Sequence, residues 1–310
     1  MRDAFGAALV ELAEDVPDLV VLDGDNATST RTRLFADRFG DSFFNVGIAE
    51  QNLVGVAAGL ALAGARPVAC AFASMLVNRA LDQITHSVAH QDLGVVLVGH
   101  YAGLSGGREG ACHHSTSDVA VLRAVPNLAV LVPACDADVL PLLRLAVDRG
   151  RPAYLRLSRN PSAAVPDHDR GSLAEGWRYW GADDPEVLVV VTGPLLPSAL
   201  DAVPRAGERV GVLNVVSVKP FPDTAFGEVS RSARAVVAVE EHSTTGGLGS
   251  AVAEAASGSG ATHLRIGVPD VFTVSGDHGE LLQLYGLTTE RIASVVRSLT
   301  RGELDDGHQH

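Results

Sequence analysis

Through the first half of the chain, short and mostly apolar runs alternate with longer Ala-rich stretches. The runs 19–22, 43–46, 67–71, 94–99, 128–132 and 153–157 lack the polar alternation of a half-exposed strand. They predict strands of a parallel sheet covered on both faces. Between them, 50–63, 79–89 and 136–148 read as amphipathic or wholly apolar helices. Alternating strands and helices point to a doubly wound sheet. From about residue 158 to 186 the periodicity breaks at Pro161, Pro166, Gly171, Gly176 and Pro185. Such composition predicts a linker over 161–185. Trp177 and Trp180 stand alone in it, as a docking anchor or packed on the surface. The pattern then resumes with strands at 187–191, 210–213, 235–239 and 263–266 and helices at 197–203, 249–256 and 289–299. The expectation is an α/β protein of two doubly wound domains, 1–160 and 186–303. A flexible tail over 304–310 would leave His308 and His310 in solvent. No internal repeat is visible.

Length and composition agree with this and exclude several classes. The 310 residues are 46% hydrophobic, enough for a large core and about two domains. A net charge of -13 argues against nucleic-acid binding, which rests on neutralising phosphates with Lys and Arg. Three cysteines, Cys70, Cys112 and Cys135, have no paired spacing, so a reducing compartment fits better than a disulfide scaffold. No apolar run reaches the roughly 18 residues of a membrane span, and acidic residues near the start argue against a signal peptide. A cytoplasmic protein is expected. Lys219 is the only lysine, which reflects composition bias and not chemistry.

Three motifs imitate known chemistry. Gly246, Gly247 and Gly249 open a helix as a dinucleotide turn would, but the third glycine is missing and Val252 stands in its place. Helix packing and a tight turn explain them. The run Asp23-Gly24-Asp25-Asn26 follows a strand like a magnesium-diphosphate turn, yet no downstream asparagine pair accompanies it, so no metal is assigned. Adjacent His113 and His114 diverge and lack a ligand set for zinc.

Three other segments carry more. Glu50 stands at the head of an apolar helix among Val46, Ile48, Leu53 and Val54. Desolvation there would favour its neutral form, or the helix dipole would hold it as a carboxylate. Phe72 and Met75, at i and i+3, form one apolar wall or a piece of core, with Asn78 and Arg79 one turn on. The third segment, 99–114, is a long loop with glycines at 103, 106, 107 and 110 and titratable His100, Glu109, His113 and His114. A loop of that length is costly unless it shapes a site.

Together, Asp25 and Ser29, the run Gly47-Ile48-Ala49-Glu50-Gln51-Asn52, Phe72 with Arg79, Gly110 with His113, and Leu122 through Asn127 resemble the pyrimidine-binding domain of transketolases. The second half is similar to the transketolase C-terminal domain in Ser217-Val218-Lys219-Pro220, Val239-Glu240-Glu241-His242-Ser243, Gly246 through Ser250 and Gly267-Val268-Pro269-Asp270. The resemblance covers nearly the whole chain. It implies thiamine diphosphate as cofactor, with Glu50 bonding the pyrimidine ring and Phe72, Met75, Ile48, Asp25 and Asn78 around it. It further implies His100 and His113 facing the reacting sugar, Glu109 and His114 near the donor, and Ser29 and Arg159 on an acceptor phosphate.

The domain that binds the diphosphate and Mg2+ in a full transketolase has no counterpart here. The chain is therefore expected to be the C-terminal subunit of a split transketolase, working with an N-terminal diphosphate-binding subunit in a heterotetramer. Met75 replaces a second aromatic ring, Asn78 a tyrosine, Arg108-Glu109 a Glu-Asp pair, and Cys112 and His114 a Thr and a Gln. These changes crowd the substrate side, so a donor or acceptor outside central sugar-phosphate metabolism is expected. The rival readings are the β-subunit of a 2-oxo acid dehydrogenase decarboxylase component and a catalytically silent partner subunit.

Overall fold

The computed structural model describes residues 1–302; the expected tail, with His308 and His310, lies outside them. The first half builds strands β1 (Leu19–Asp23), β2 (Phe43–Asn45), β3 (Arg66–Phe72), β4 (Val96–His100), β5 (Ala129–Leu131) and β6 (Ala153–Arg156). Its helices are α1 (Arg2–Asp15), α2 (Ala27–Thr30), α3 (Arg33–Arg38), α4 (Glu50–Leu62), α5 (Ala73–Gln83), α6 (Asp118–Arg123) and α7 (Val139–Asp148). The second half adds β7 (Arg170–Ser172), β8 (Trp177–Gly181), β9 (Val187–Val191), β10 (Val210–Val215), β11 (Ser217–Lys219), β12 (Ala235–Ser243) and β13 (Thr262–Val268). Its helices are α8 (Leu196–Ala202), α9 (Asp223–Val229), α10 (Leu248–Ala255), α11 (His278–Leu284) and α12 (Thr289–Thr300).

Two sheets result, ordered β11-β5-β6-β4-β3-β1-β2 and β13-β12-β9-β10-β8-β7. Both are parallel except for β11 in the first and β7 and β8 in the second. The apolar runs explain this directly: every residue of β9 is buried, as a central strand between two helix layers requires. On the first sheet, Phe5, Leu9 and Leu12 of α1 and Leu142, Leu143 and Ala146 of α7 cover one face. Leu53, Val54 and Ala57 of α4 with Leu76, Val77 and Ala80 of α5 cover the other. That second cluster continues into Leu188, Val190, Leu213 and Val236 of the other sheet, so one core crosses the domain junction.

Two expectations are corrected. The segment 161–185 is not an unstructured connection, because it contains β7 and β8. Gly171 within β7, Gly176 in the turn before β8 and Gly181 at the end of β8 have positive φ, 87°, 82° and 107°, and interrupt periodicity for that reason. Trp180 is a buried strand residue whose Nε1 donates to the Asp167 carbonyl at 2.8 Å. Arg178, between the two tryptophans, forks onto the buried Asp138 of the first half at 2.9 and 2.8 Å. The second correction concerns β11: chain from the second half joins the first sheet, pairing antiparallel with β5.

Candidate functional site

Because β1 to β4 are parallel, their carboxyl ends lie on one rim. Register sets Asp23 opposite Asn45 and Phe72 opposite His100. Ligands of open α/β sheets bind outside this rim.

At the first corner, Asp23 is fully buried. It accepts from Thr30 Oγ1 at 2.9 Å, Thr32 Oγ1 at 2.8 Å and the Asn26 amide at 2.6 Å. Burial raises its pKa against the pull of these bonds. The acidic turn thus ties β1 to α2 and α3 internally. Asp25 is exposed and accepts from Asn45 Nδ2 at 3.1 Å, while Asn45 Oδ1 takes the Gly47 amide at 2.9 Å. Ser29 is half-buried in α2.

Glu50 begins α4 after the left-handed turn at Gly47 (φ 76°). Its carboxylate is buried, but Ile48, expected beside it, is exposed, and the group that meets the carboxylate is charged. Arg79 Nη1 reaches Oε1 at 3.0 Å and Oε2 at 3.1 Å. Arg79 projects from α5, the helix that Phe72 caps, so this ion pair joins the head of α4 to the helix carrying Phe72, Met75 and Asn78. Met75 is half-buried, Asn78 exposed, and Ile48 74% exposed on the loop before α4.

Around Phe72 the structure gathers several predicted residues. The Phe72 ring lies 4.6 Å from that of Tyr101 and 5.5 Å, edge to face, from that of His113. His113 Nε2 is 3.8 Å from Glu109 Oε2, and Arg159 Nη1 is 3.7 Å from Glu109 Oε1. Arg159 also stacks over Tyr101, 5.0 Å from its centroid. Phe72, His113, Glu109 and Arg159 therefore form one cluster, a half-buried aromatic floor with an imidazole, a carboxylate and a guanidinium above it.

Sequence reasoning gave no role to Tyr101, which organises that floor at a positive φ of 58°, nor to Cys112, whose Sγ lies 3.2 Å from His113 Nδ1. An aromatic residue directly after a buried strand and a thiol beside a histidine were the available signals.

Two histidines are not brought to the cluster. His100 continues the strand alternation of Val96 and Val98, so its ring points to the α1 side, edge to face with Phe5 at 4.9 Å. It is fully buried and neither ring nitrogen has a partner among the described residues. Burial, with the positive charges of the Met1 ammonium and Arg2, pushes its pKa down to about 3. His114 is buried between Thr273 Oγ1, 2.7 Å from Nδ1, and the Gly107 carbonyl, 3.0 Å from Nε2. Burial lowers its pKa despite the Gly107 bond.

The Gly246, Leu248 and Gly249 amides at the glycine turn 246–249 are bonded within the chain. Glu240 fills the head of α10, accepting from the Leu248 and Gly249 amides at 2.7 and 2.8 Å. Among the described residues, no group of three or more His, Cys, Asp or Glu is placed to hold a metal ion, and no helix is long and apolar enough to cross a membrane.

Parallel strands whose carboxyl ends collect titratable groups around an aromatic ring define a small-ligand-binding α/β protein. Residues 1–163 match the family model "Transketolase, pyrimidine binding domain" and residues 181–292 match "Transketolase, C-terminal domain". The chain belongs to the transketolase family. A Methanocaldococcus jannaschii protein named as a transketolase C-terminal section is 36% identical over 96% of this chain and 95% of its own length. A Clostridium sp. protein, "6-deoxy-6-sulfo-D-fructose transketolase subunit SqwH", is 33% identical over 97% and 94%. The 1-deoxy-D-xylulose-5-phosphate synthase of Carboxydothermus hydrogenoformans is 35% identical over 96% of this chain, which spans about half (48%) of that enzyme. A solved structure titled "Split gene transketolase, inactive beta4 tetramer" superposes with a TM-score of 0.85 at 37% identity, covering 96% of this chain and 97% of that one.

The family implies thiamine diphosphate, and the pyrimidine half of that cofactor can be tested against the residues present. A buried carboxylate at a helix head and a half-buried aromatic ring, on two helices joined by the Arg79 bond, fit a planar ring that needs a hydrogen-bond partner at its edge and an apolar face.

Proposed function

We propose that this chain is the pyrimidine-binding subunit of a thiamine-diphosphate-dependent enzyme that transfers a two-carbon ketol unit between sugars or sugar phosphates. A separate N-terminal subunit would hold the diphosphate and Mg2+. The observation that carries the reading is the buried Glu50 carboxylate on α4, linked through Arg79 to the helix that presents Phe72.

Bound thiamine diphosphate supplies an electron sink for carbon–carbon bond cleavage and formation. Glu50, itself buried at the head of α4, would hold a proton at the pyrimidine ring nitrogen. Phe72 and Met75 would cover the ring face, with Ile48, Asp25 and Asn78 at its margin. His113, packed on Phe72, would move a proton at the sugar carbonyl or hydroxyl, and Glu109 would accept from a donor hydroxyl. Arg159, now resting on Glu109 and Tyr101, would turn its planar fork to an acceptor phosphate, with Ser29 across the rim.

His100, buried against Phe5, and His114, held between Thr273 and Gly107, have no part in this reading. The inactive β4 tetramer of the 37% identical protein supports a chain that needs a partner, and a heterotetramer of two chains of each kind is the expected complex. The sulfofructose transketolase subunit at 33% identity supports a substrate outside the common pentose phosphates.

The test is a ketol-transfer assay on the complex with its diphosphate-binding subunit, screening ketose donors against aldehyde acceptors. Glu50→Gln should lower kcat by about 10^2 to 10^4 without separating the subunits. Full activity in Glu50→Gln would defeat the assignment, and turnover seen only with lipoamide and a 2-oxo acid would favour the dehydrogenase reading.

A further inference from the structure

The loop 99–114 has two sides. One carries Glu109 and His113 towards Phe72. The other lies against the second half of the chain, where the contacts are more complete. The Leu104 amide donates to Glu241 Oε1 at 2.6 Å, and His278 Nε2 lies 3.1 Å from the same oxygen. Glu241 is 3% exposed and sits on β12 of the other domain. Thr273 holds His114 at 2.7 Å, and Asp277 pairs with Arg108 at 2.7 Å on the rim.

Three glycines of the loop answer to this side. A Cβ at Gly103 would run into the Glu241 carboxylate, one at Gly107 would lie 3.3 Å from the Gly276 carbonyl, and one at Gly110 would lie 2.7 Å from Ser275 Oγ. All three also have positive φ, of 64°, 60° and 86°. Close approach of the C-terminal domain thus excludes a side chain at Gly103 and Gly110, positive φ favours glycine at all three, and a Cβ at Gly106 would meet only His113 and His114 of the loop itself. A buried carboxylate is costly unless it is bonded, and the donors of this one are the loop's own backbone and the first residue of α11.

We propose that Glu241 is a positioning residue for the substrate loop: through the Leu104 amide it holds residues 103–114 in the conformation that sets His113 and Glu109 beside Phe72. The catalytic meaning of that conformation rests on the function proposed above, whereas the hold itself does not. By this account the C-terminal domain shapes the site although it contributes no residue to the cluster around Phe72.

The test is amide hydrogen exchange on the full chain, followed by mass spectrometry, with Glu241→Ala and Glu241→Gln. Glu241→Ala leaves two donors facing a void and should speed exchange over 103–114 by about tenfold or more, with β4 and β9 unchanged. Glu241→Gln keeps the oxygen in place and should stay within about threefold of the native rate. If the Ala variant leaves the loop protected, or loosens β9 and β12 as much as the loop, the proposal fails. Should the Ala variant not fold, the native chain decides: the Leu104 amide, bonded to Glu241, should exchange at least about tenfold more slowly than the exposed amides of 108–112, and equally fast exchange overturns the proposal.

In the complex with the diphosphate-binding subunit, Glu241→Ala should lower kcat about tenfold, leave the Kd for thiamine diphosphate within about twofold, and regain activity as Gln. A native complex without ketol transfer would refute the function while leaving the exchange result to decide the positioning role.

Discussion

The two sides of the loop 99–114 differ in how far this chain alone completes them. On the domain-facing side, Leu104, His114 and Arg108 each meet a partner from the C-terminal domain. Asp118, beneath them, accepts from Tyr154 and twice from Arg156, which also reaches the Ser115 and Glu241 carbonyls. On the other side the polar groups lean on one another loosely, with Glu109 3.8 Å from His113 and 3.7 Å from Arg159. Tight, buried bonds serve the scaffold, and longer, half-exposed contacts leave groups free to engage something else.

The histidines show the same division by charge. Burial alone would lower His278, but the bond and charge of Glu241 override it and raise its pKa. His100, with no such partner, is pushed down to about 3.

The largest effect on the closed side is expected at Arg156. Burial opposes the charge of Asp118, yet Arg156 holds its carboxyl below the usual range. Removing the guanidinium strands a buried charge, so Arg156→Met should cost about 3–5 kcal/mol in urea unfolding. A loss below about 1 kcal/mol would show that the closed side is not held as described.

A smaller effect belongs to His100. Its folded pKa lies below the unfolded value of about 6.5, so the unfolded chain takes up the proton first as pH falls. Its contribution is fully present above about pH 6.5 and is lost progressively down to about pH 3, amounting to about 2 kcal/mol by pH 5. Subtracting the unfolding curves of His100→Gln from those of the native chain at pH 7 and pH 5 isolates this term. Equal pH dependence in both proteins would contradict the buried, unpartnered ring.

Much of this architecture was legible in the sequence because parallel strands buried on both faces announce themselves as unbroken apolar runs. β9 falls on the predicted 187–191 without shift, and α4 ends one residue before the predicted 63. Glu50 and Phe72 stand in segments that the sequence itself marks, whereas the roles expected of His113, Glu109 and Arg159 follow only from the family resemblance.

What stayed hidden was long-range. β7 and β8 are short, and their glycine-interrupted sequence reads as linker until Arg178 finds Asp138 across the junction. β11 has three residues and pairs with a strand about 90 positions earlier, which no local pattern reports. The helix expected over 79–89 begins earlier, at Ala73 directly after β3, and runs on as a wider turn over Ile84–Ala89. The parity that turns His100 away from the loop follows from strand alternation once the end of β4 is known. The partner of Glu241 could not be read from sequence spacing, because 137 residues separate it from Leu104.

By the function proposed above, this chain supplies the pyrimidine half of a cofactor site shared with a second subunit. Titration calorimetry with thiamine diphosphate and Mg2+ tests it most directly, first on this chain alone and then on its mixture with the diphosphate-binding subunit. The account predicts weak or no binding alone and tight binding in the mixture, with Glu50→Gln weakening the latter. Tight binding by the isolated chain would contradict it.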